Sequence, residues 1–204
     1  HKGLVMADFI INRSSKGFSF IVKNSISSTL LSELAPFAKF NSVTFKENNS
    51  KVIGMISNKN QKLKEFAKND HFSTYVYISN NETESNSCIT IENWEAGNKI
   101  LGNYFLESND IGKFRPLELN YDKLRVSFDK GCYRGQEIVA RMKYLGIDRR
   151  SFLTFITTSE YDANENIKIV GNKIEIDDKL IFNAIVKKDL IPDIQKYPQV
   201  LTII

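Results

Sequence analysis

From Arg150 onward the apolar residues fall into short runs, SFLTFITT, NIKIV, NKIEID, KLIFNAIVKK and QVLTII, separated by polar turns. Closely spaced runs with a period near two predict strands. The span 150–204 therefore reads as an all-β module, a small barrel or sandwich. Residues 1–149 read differently, and the boundary falls near 148–151. LVMADFII (4–11) and FSFIVK (18–23) predict two strands joined by the turn SSKG (14–17). Leu30, Leu31, Leu34, Phe37 and Phe40 then recur at helical spacing, with Ser27 or Ser28 as the cap and Pro36 as a kink or shortening point. SVTFK (42–46), KVIGMIS (51–57) and STYVYIS (73–79) predict strands, and NQKLKEFAKN (60–69) a short surface helix. This alternation predicts an α+β fold with mixed or antiparallel sheets.

NNETESNS (80–87) reads as a polar loop. Residues 88–129 show no long periodic run, and long irregular segments in compact domains are often binding loops. Cys88 lies there in a strand-like context without nearby cations and is expected in the core. The chain opens at His1-Lys2-Gly3 without an initiator Met, the pattern expected if a natural N-terminal segment is missing.

With 204 residues, 42% of them hydrophobic, the chain has ample material for a core, which argues against disorder. Two cysteines and two histidines, widely scattered, cannot close a zinc site or hold an iron–sulfur cluster within one chain. Two cysteines also give no disulfide framework, so a reducing, cytoplasmic compartment is expected. No apolar run approaches membrane-spanning length and no secretory signal is visible. The net charge of +4 is unevenly spread: residues 151–204 carry six lysines against eight acids, leaving +6 on the first 150. Lys130, Arg134, Arg141, Lys143, Arg149 and Arg150 cluster against Glu137 and Asp148 alone. An anionic ligand is one inference; a solvated basic helix face is the other.

The segment KGCYRGQEIVAR (130–141) does not read like the rest. Gly135-Gln136-Glu137 opens a helix in which Ile138, Val139, Met142 and Leu145 share a face and Gly146 ends the run. Its N-terminus aims free N–H groups and partial positive charge back along the chain, and Lys130 and Arg134 add full charges. Each effect favours thiolate over thiol at Cys132. Gly131 and Gly135 permit close backbone approach, and Gln136 and Glu137 offer an amide and a carboxylate. Together they could build a polar pocket around a nucleophilic or redox-sensitive sulfur. A buried structural cysteine beside a tight loop satisfies the same residues. A cysteine hydrolase would need a base, and His71 could reach the thiol only through the fold. Trp94-Glu95-Ala96-Gly97 sets a carboxylate next to the single Trp. That pair suits a heterocycle with amidine-like N–H donors, such as a pterin, or else is a surface loop with a half-buried Trp.

The 130–141 segment resembles the signature of the YgfZ family of folate-binding proteins, K-G-C-Y/F-x-G-Q-E. Lys130, Gly131, Cys132, Tyr133, Gly135, Gln136 and Glu137 all match. Upstream, Phe114-x-Pro116, Glu118 and Asn120 are similar to the family's F-x-P-Q-E-x-N segment, with Leu117 in place of the usual Gln. Glu95-Ala96-Gly97 resembles the E-x-G element shared with the glycine-cleavage aminomethyltransferases, whose glutamate contacts the pterin ring. Lys2-Gly3 resembles a K-G segment that lies tens of residues into family members. Two features depart: the Trp usual at the start of the segment leading to E-x-G is replaced near Cys88–Ile89, and the Pro usual after E-x-G-x is absent.

The resemblance implies an aminomethyltransferase-like folate-binding fold ending in a small β-barrel, with 1–149 as the folate-binding part and 150–204 as the barrel. It implies tetrahydrofolate or a derivative as cofactor, and no metal held by this chain alone. It implies a working thiol at Cys132, with Glu95 and Trp94 toward the pterin and Arg134 and Arg141 toward the folate tail. The implied role is accessory: assembly or repair of iron–sulfur clusters, indirectly supporting tRNA modification. The partners would be folate and iron–sulfur client or assembly proteins, with no membrane. A tetrahydrofolate-dependent aminomethyl transferase is the alternative, although the motif holds a cysteine where such an enzyme needs a carboxylate. A direct RNA-binding or RNA-modifying protein is the third reading, favoured by the basic helix with Tyr133 and Tyr144 and disfavoured by the acidic C-terminal part.

Overall fold

The computed structural model describes all residues except 1–2, 16, 49, 80–87, 134, 147–148 and 162–164. The predicted 80–87 loop and Arg134 thus lie outside the described residues. The chain is α+β with antiparallel sheets throughout. β1 (Ile10–Ser14) and β2 (Gly17–Ile21) form a hairpin, and α1 (Asn24–Phe40) follows. β3 (Lys51–Ser57), β4 (Ala67–Lys68) and β5 (Ser73–Ser79) make a three-stranded sheet in the order β3-β5-β4. Then come α2 (Ile91–Ile100), two 3-10 turns, α3 (Tyr121–Leu124) and α4 (Gln136–Leu145). β6 (Arg150–Thr158), β7 (Ile167–Ile176), β8 (Lys179–Lys187), α5 (Ile191–Ile194) and β9 (Val200–Ile203) complete the chain.

The C-terminal strands form one sheet in the order β7-β8-β6-β9. The expected barrel does not close: β7 and β9 lie at opposite edges, and no ladder joins them among the described residues. The reason is that other elements cover the sheet. Ala96 of α2 packs with Ile174 and Ile181, while Ile194 of α5 joins Phe155, Phe182 and Tyr161. With its apolar surface covered in this way, the sheet gains nothing by curling on itself. β8 is buried over six consecutive residues, Ile181–Val186, which is why its sequence reads as an apolar run broken only by Asn183. The runs NIKIV and NKIEID form one strand, β7, with an irregular register between Val170 and Ile174.

Three local expectations are corrected. No helix forms over 60–69: Phe66 packs on Phe105 at 5.2 Å between ring centroids, and Ala67 is buried as part of β4. Aromatic packing and edge pairing there outweigh helix propensity. Residues 42–46 form no strand; Phe45 packs toward Phe20 at 6.2 Å. The first strand starts only at Ile10, because Val5 pairs instead with the backbone of Phe114 (2.8 Å) and Gly112 (2.9 Å). The predicted helix does form as α1, with Pro36 inside it, but it begins at Asn24 and its N-cap Lys23 makes no side-chain capping bond.

α2 lies in the segment read as irregular. Thr90 caps it by accepting from the Asn93 N–H at 3.2 Å, and Glu92 sits in its first turn. Four successive residues, Ala96–Lys99, are buried, so no single apolar stripe shows in the sequence. The helix packs between the two larger sheets. A Cβ on Gly97 would stand 2.6 Å from the terminal methyl of Ile56 of β3, so a larger residue there would force Ile56 to move. The Lys99 carbonyl accepts from the Thr154 hydroxyl of β6 and from Asn183 Nδ2 of β8 at 3.3 Å.

Candidate functional site

Glu95 and Lys99 are four residues apart on α2 and therefore share a face. That face lines a small cleft with Lys23, Asn98, Asn103, Tyr104, Phe105, Glu107 and Asn172. Lys23 reaches in from the residue before α1. Its Nζ donates to Glu95 Oε1 at 3.3 Å and also pairs with Glu107. Asn172 of β7 donates from Nδ2 to Glu95 Oε2 at 3.2 Å. Both carboxylates are half-buried, so these contacts are screened less than surface pairs.

Lys99 is only 5% exposed, and its Nζ has no hydrogen-bond or ion-pair partner among the described residues. The Nζ lies 6.0 Å from the centroid of the Tyr104 ring. Burial pushes its amine down to about 8, opposed by the charges of Glu95, Glu107 and Asp110 and helped by that of Lys23. Burial and the hydrogen bond from its hydroxyl to Asp110 push the Tyr104 phenol up. Asp110 Oδ2 accepts from that hydroxyl at 2.7 Å and from the Gly171 N–H at 2.8 Å. The Tyr104 oxygen in turn accepts from the Glu107 N–H at 3.0 Å, which fixes the Glu107 backbone.

Behind the cleft a buried polar network sets its wall. Asn98 Oδ1 accepts from Asn103 Nδ2 (2.8 Å) and from the Thr74 hydroxyl (3.2 Å). Asn103 Oδ1 accepts from Arg125 Nη2 at 2.9 Å, and Arg125 pairs with Asp8. Burial lowers the Arg125 guanidinium to about 9, still charged at neutral pH. The faces of Tyr121 (4.4 Å), Phe105 (5.1 Å) and Phe66 (5.7 Å) surround it.

Cys132 lies elsewhere in character. It is exposed, and it does not line the cleft that holds Glu95. Around it, Lys130 Nζ sits 4.6 Å from the Tyr133 ring centroid. The Tyr133 N–H donates to Gln136 Oε1 at 3.2 Å, and the Gln136 N–H donates to the Tyr133 carbonyl at 3.1 Å. Gln136 therefore serves the loop backbone. Burial pushes the Tyr133 phenol up, and nearby Tyr144 adds to this. Glu137 and Arg141 pair with each other at 2.9 Å on the solvent side of α4. Gly135 caps α4 at φ +86°, a conformation side chains resist, and its carbonyl accepts the Val139 N–H at 3.2 Å. Gly3 packs against Gly135 and Ile138, so the K-G segment and the cysteine motif meet. An added Cβ at Gly131 meets nothing within 4 Å, so this glycine is not required by packing.

Trp94 turns away from the cleft: a Cβ on Gly54 of β3 would come within 2.8 Å of its ring. The F-x-P-x-E-x-N segment is structural. Phe114 is core, Glu118 accepts from the Arg115 N–H at 2.8 Å, and Asn120 donates to the Phe152 carbonyl at 3.3 Å. Three of the six cations of the basic cluster are paired: Arg141 with Glu137, Lys143 with Asp122 at 2.7 Å and Arg150 with Glu118 at 3.5 Å. Cys88 is exposed rather than core, because it precedes α2 instead of lying in a strand. His71 occupies an exposed turn before β5. Of the expected ligand contacts among the described residues, Glu95 lines the cleft and Trp94 and Arg141 do not; Arg134 lies outside the described residues. Lys23, Lys99, Glu107 and Asn172 were missed, and the Glu95–Lys99 spacing would have found one of them had α2 been seen.

No family model matches the chain. Among curated proteins, it is 25% identical to the tRNA-modifying protein YgfZ of Escherichia coli, over 94% of this chain and 73% of that protein. The Escherichia fergusonii protein of the same name is 24% identical over the same shares. An uncharacterized Haemophilus influenzae protein is 30% identical over 80% of this chain. The chain is therefore similar to proteins named YgfZ over nearly its whole length. It spans 58% of the length of the Haemophilus protein. Among the described residues no helix is long and apolar enough to cross a membrane, and no group of three or more metal-ligating side chains is present.

Proposed function

We propose that this chain is a YgfZ-family, folate-binding accessory factor that serves iron–sulfur cluster assembly or repair, and through it tRNA modification. Its fold is then the aminomethyltransferase-like one. Cys132 is the working thiol and the α2 cleft receives the pterin of tetrahydrofolate or a derivative. The observation that carries this reading is the exposed Cys132 within a matched seven-residue motif, in a chain similar to proteins named as tRNA-modifying. The cleft's donor set fits a pterin edge. Glu95 and Glu107 are acceptors for amidine-type N–H groups, and Phe105 supplies an apolar surface. A folate there would bring one-carbon carrying capacity. The protein's part is to orient the ring and exclude water. Glu95 is held for this by Lys23 and Asn172, so its carboxylate is aimed before a ligand arrives. Arg141, the residue proposed for the folate tail, would have to leave Glu137 to receive it.

Titration of the purified full chain with tetrahydrofolate tests the binding, with Glu95→Ala expected to weaken it at least about tenfold. Equal affinity of the two proteins overturns the pterin placement. Complementation of a strain lacking its own YgfZ-family protein tests the thiol: Cys132→Ala is expected to fold normally and fail to rescue. Full rescue overturns the role.

A further inference from the structure

Lys99 is the one cleft residue whose chemistry the folate reading leaves unused. A lysine placed only for stability would reach solvent or a carboxylate. This one is 5% exposed, lines an open cleft, and its Nζ has no partner among the described residues. Its stem is fixed twice: Ala96–Lys99 is the buried part of α2, and the Lys99 carbonyl is bonded to Thr154 and Asn183. The charged groups facing the amine are Glu95 on its own helix, Glu107 and Asp110 on the following loop, and Lys23 ahead of α1. Glu95 and Glu107 are both committed to Lys23, so neither neutralises Lys99 as an ion pair. A desolvated lysine beside a second cation is the usual arrangement of an amine nucleophile.

We infer that Lys99 is a nucleophilic amine that captures one- or two-carbon aldehydes in this cleft as a reversible imine. The nitrogen lone pair forms the C–N bond while the carbonyl π pair moves to oxygen. One amine proton passes to that oxygen and gives a carbinolamine. Loss of the second N–H proton and the hydroxyl as water leaves the C=N bond, and hydrolysis reverses every step. No oxidant or reductant is consumed. The cleft beside the amine is small, so the aldehyde that enters it whole is a short one, whereas the proposed pterin would present only an edge at its mouth. The inference uses the same cleft as the folate reading but does not depend on it.

The test is limiting acetaldehyde with cyanoborohydride on the purified full chain without folate, followed by peptide mass mapping. An amine at about 8 holds on the order of a hundredfold more neutral form at pH 7 than an ordinary surface lysine. Lys99 is therefore expected to be ethylated at least about tenfold ahead of the exposed Lys130, and the lead is expected to shrink by pH 10. Lys99→Arg is expected to remove the early adduct without creating another. Labelling of Lys99 no faster than Lys130, or only after denaturation, overturns the inference. Because the readout is on the wild-type chain, a misfolded variant does not obscure it. Failure here leaves the tetrahydrofolate titration as a separate result.

Discussion

The α2 cleft and the Cys132 loop are two ways of presenting a reactive group. The cleft amine is held by elements distant in sequence: β3 against Gly97, β6 and β8 on the Lys99 carbonyl, and the Asn98–Asn103–Arg125–Asp8 network behind it. The thiol is held by short-range contacts between residues 130 and 141, together with the packing of Gly3 on Gly135. The first arrangement fixes geometry and removes water. The second leaves a sulfur exposed to solvent. On the proposed function, long-range architecture would serve the small ligand and local structure the docking.

The sharpest way to break this contrast is through the network. Arg125→Met leaves Asp8 buried without its partner and is expected to destabilise by about 3–5 kcal/mol, measured by urea unfolding. The cleft should be lost with it. Next in size, Gly97→Val places a side chain where Ile56 stands and is expected to cost about 1–3 kcal/mol. Gly131→Ala, in the thiol loop, is expected to stay within about 0.5 kcal/mol.

Lys99 sharpens the comparison through pH. Its folded-state amine lies at about 8, below the ordinary 10.5, so between these values the unfolded chain binds more protons. Stability from this group therefore rises with pH across that window. Wild type is expected to gain on Lys99→Met by about 3 kcal/mol between pH 8 and 10.5, read from paired unfolding curves. Equal slopes would mean that the amine titrates normally. Smallest of all, Cys132→Ala is expected to shift stability by less than about 0.5 kcal/mol, since the side chain is exposed.

The thiol loop was legible because its information is local: contiguous residues, a helix start and a glycine cap all lie within one window. α1 and most strands were legible for the same reason, since their apolar spacing is strong. The cleft was not. α2 buries Ala96–Lys99 in succession, which erases the helical stripe, and its partners Lys23, Glu107 and Asn172 are brought in only by the fold. The runs 42–46 and 60–69 misled because Phe45 and Phe66 answer to distant aromatic rings, Phe20 and Phe105. The barrel was misjudged because strand sequences show an apolar face without showing whether helices or more strands will cover it.

The bonds from Thr154 and Asn183 to the Lys99 carbonyl also set a timetable for biogenesis. A nascent chain still lacking β8 has synthesised every cleft-lining residue, yet its α2 lacks the Asn183 bond and the Ile181 packing that complete its seat. The chemistry proposed for this face would therefore wait for β8, whereas the residues of the thiol loop are all in place by residue 141.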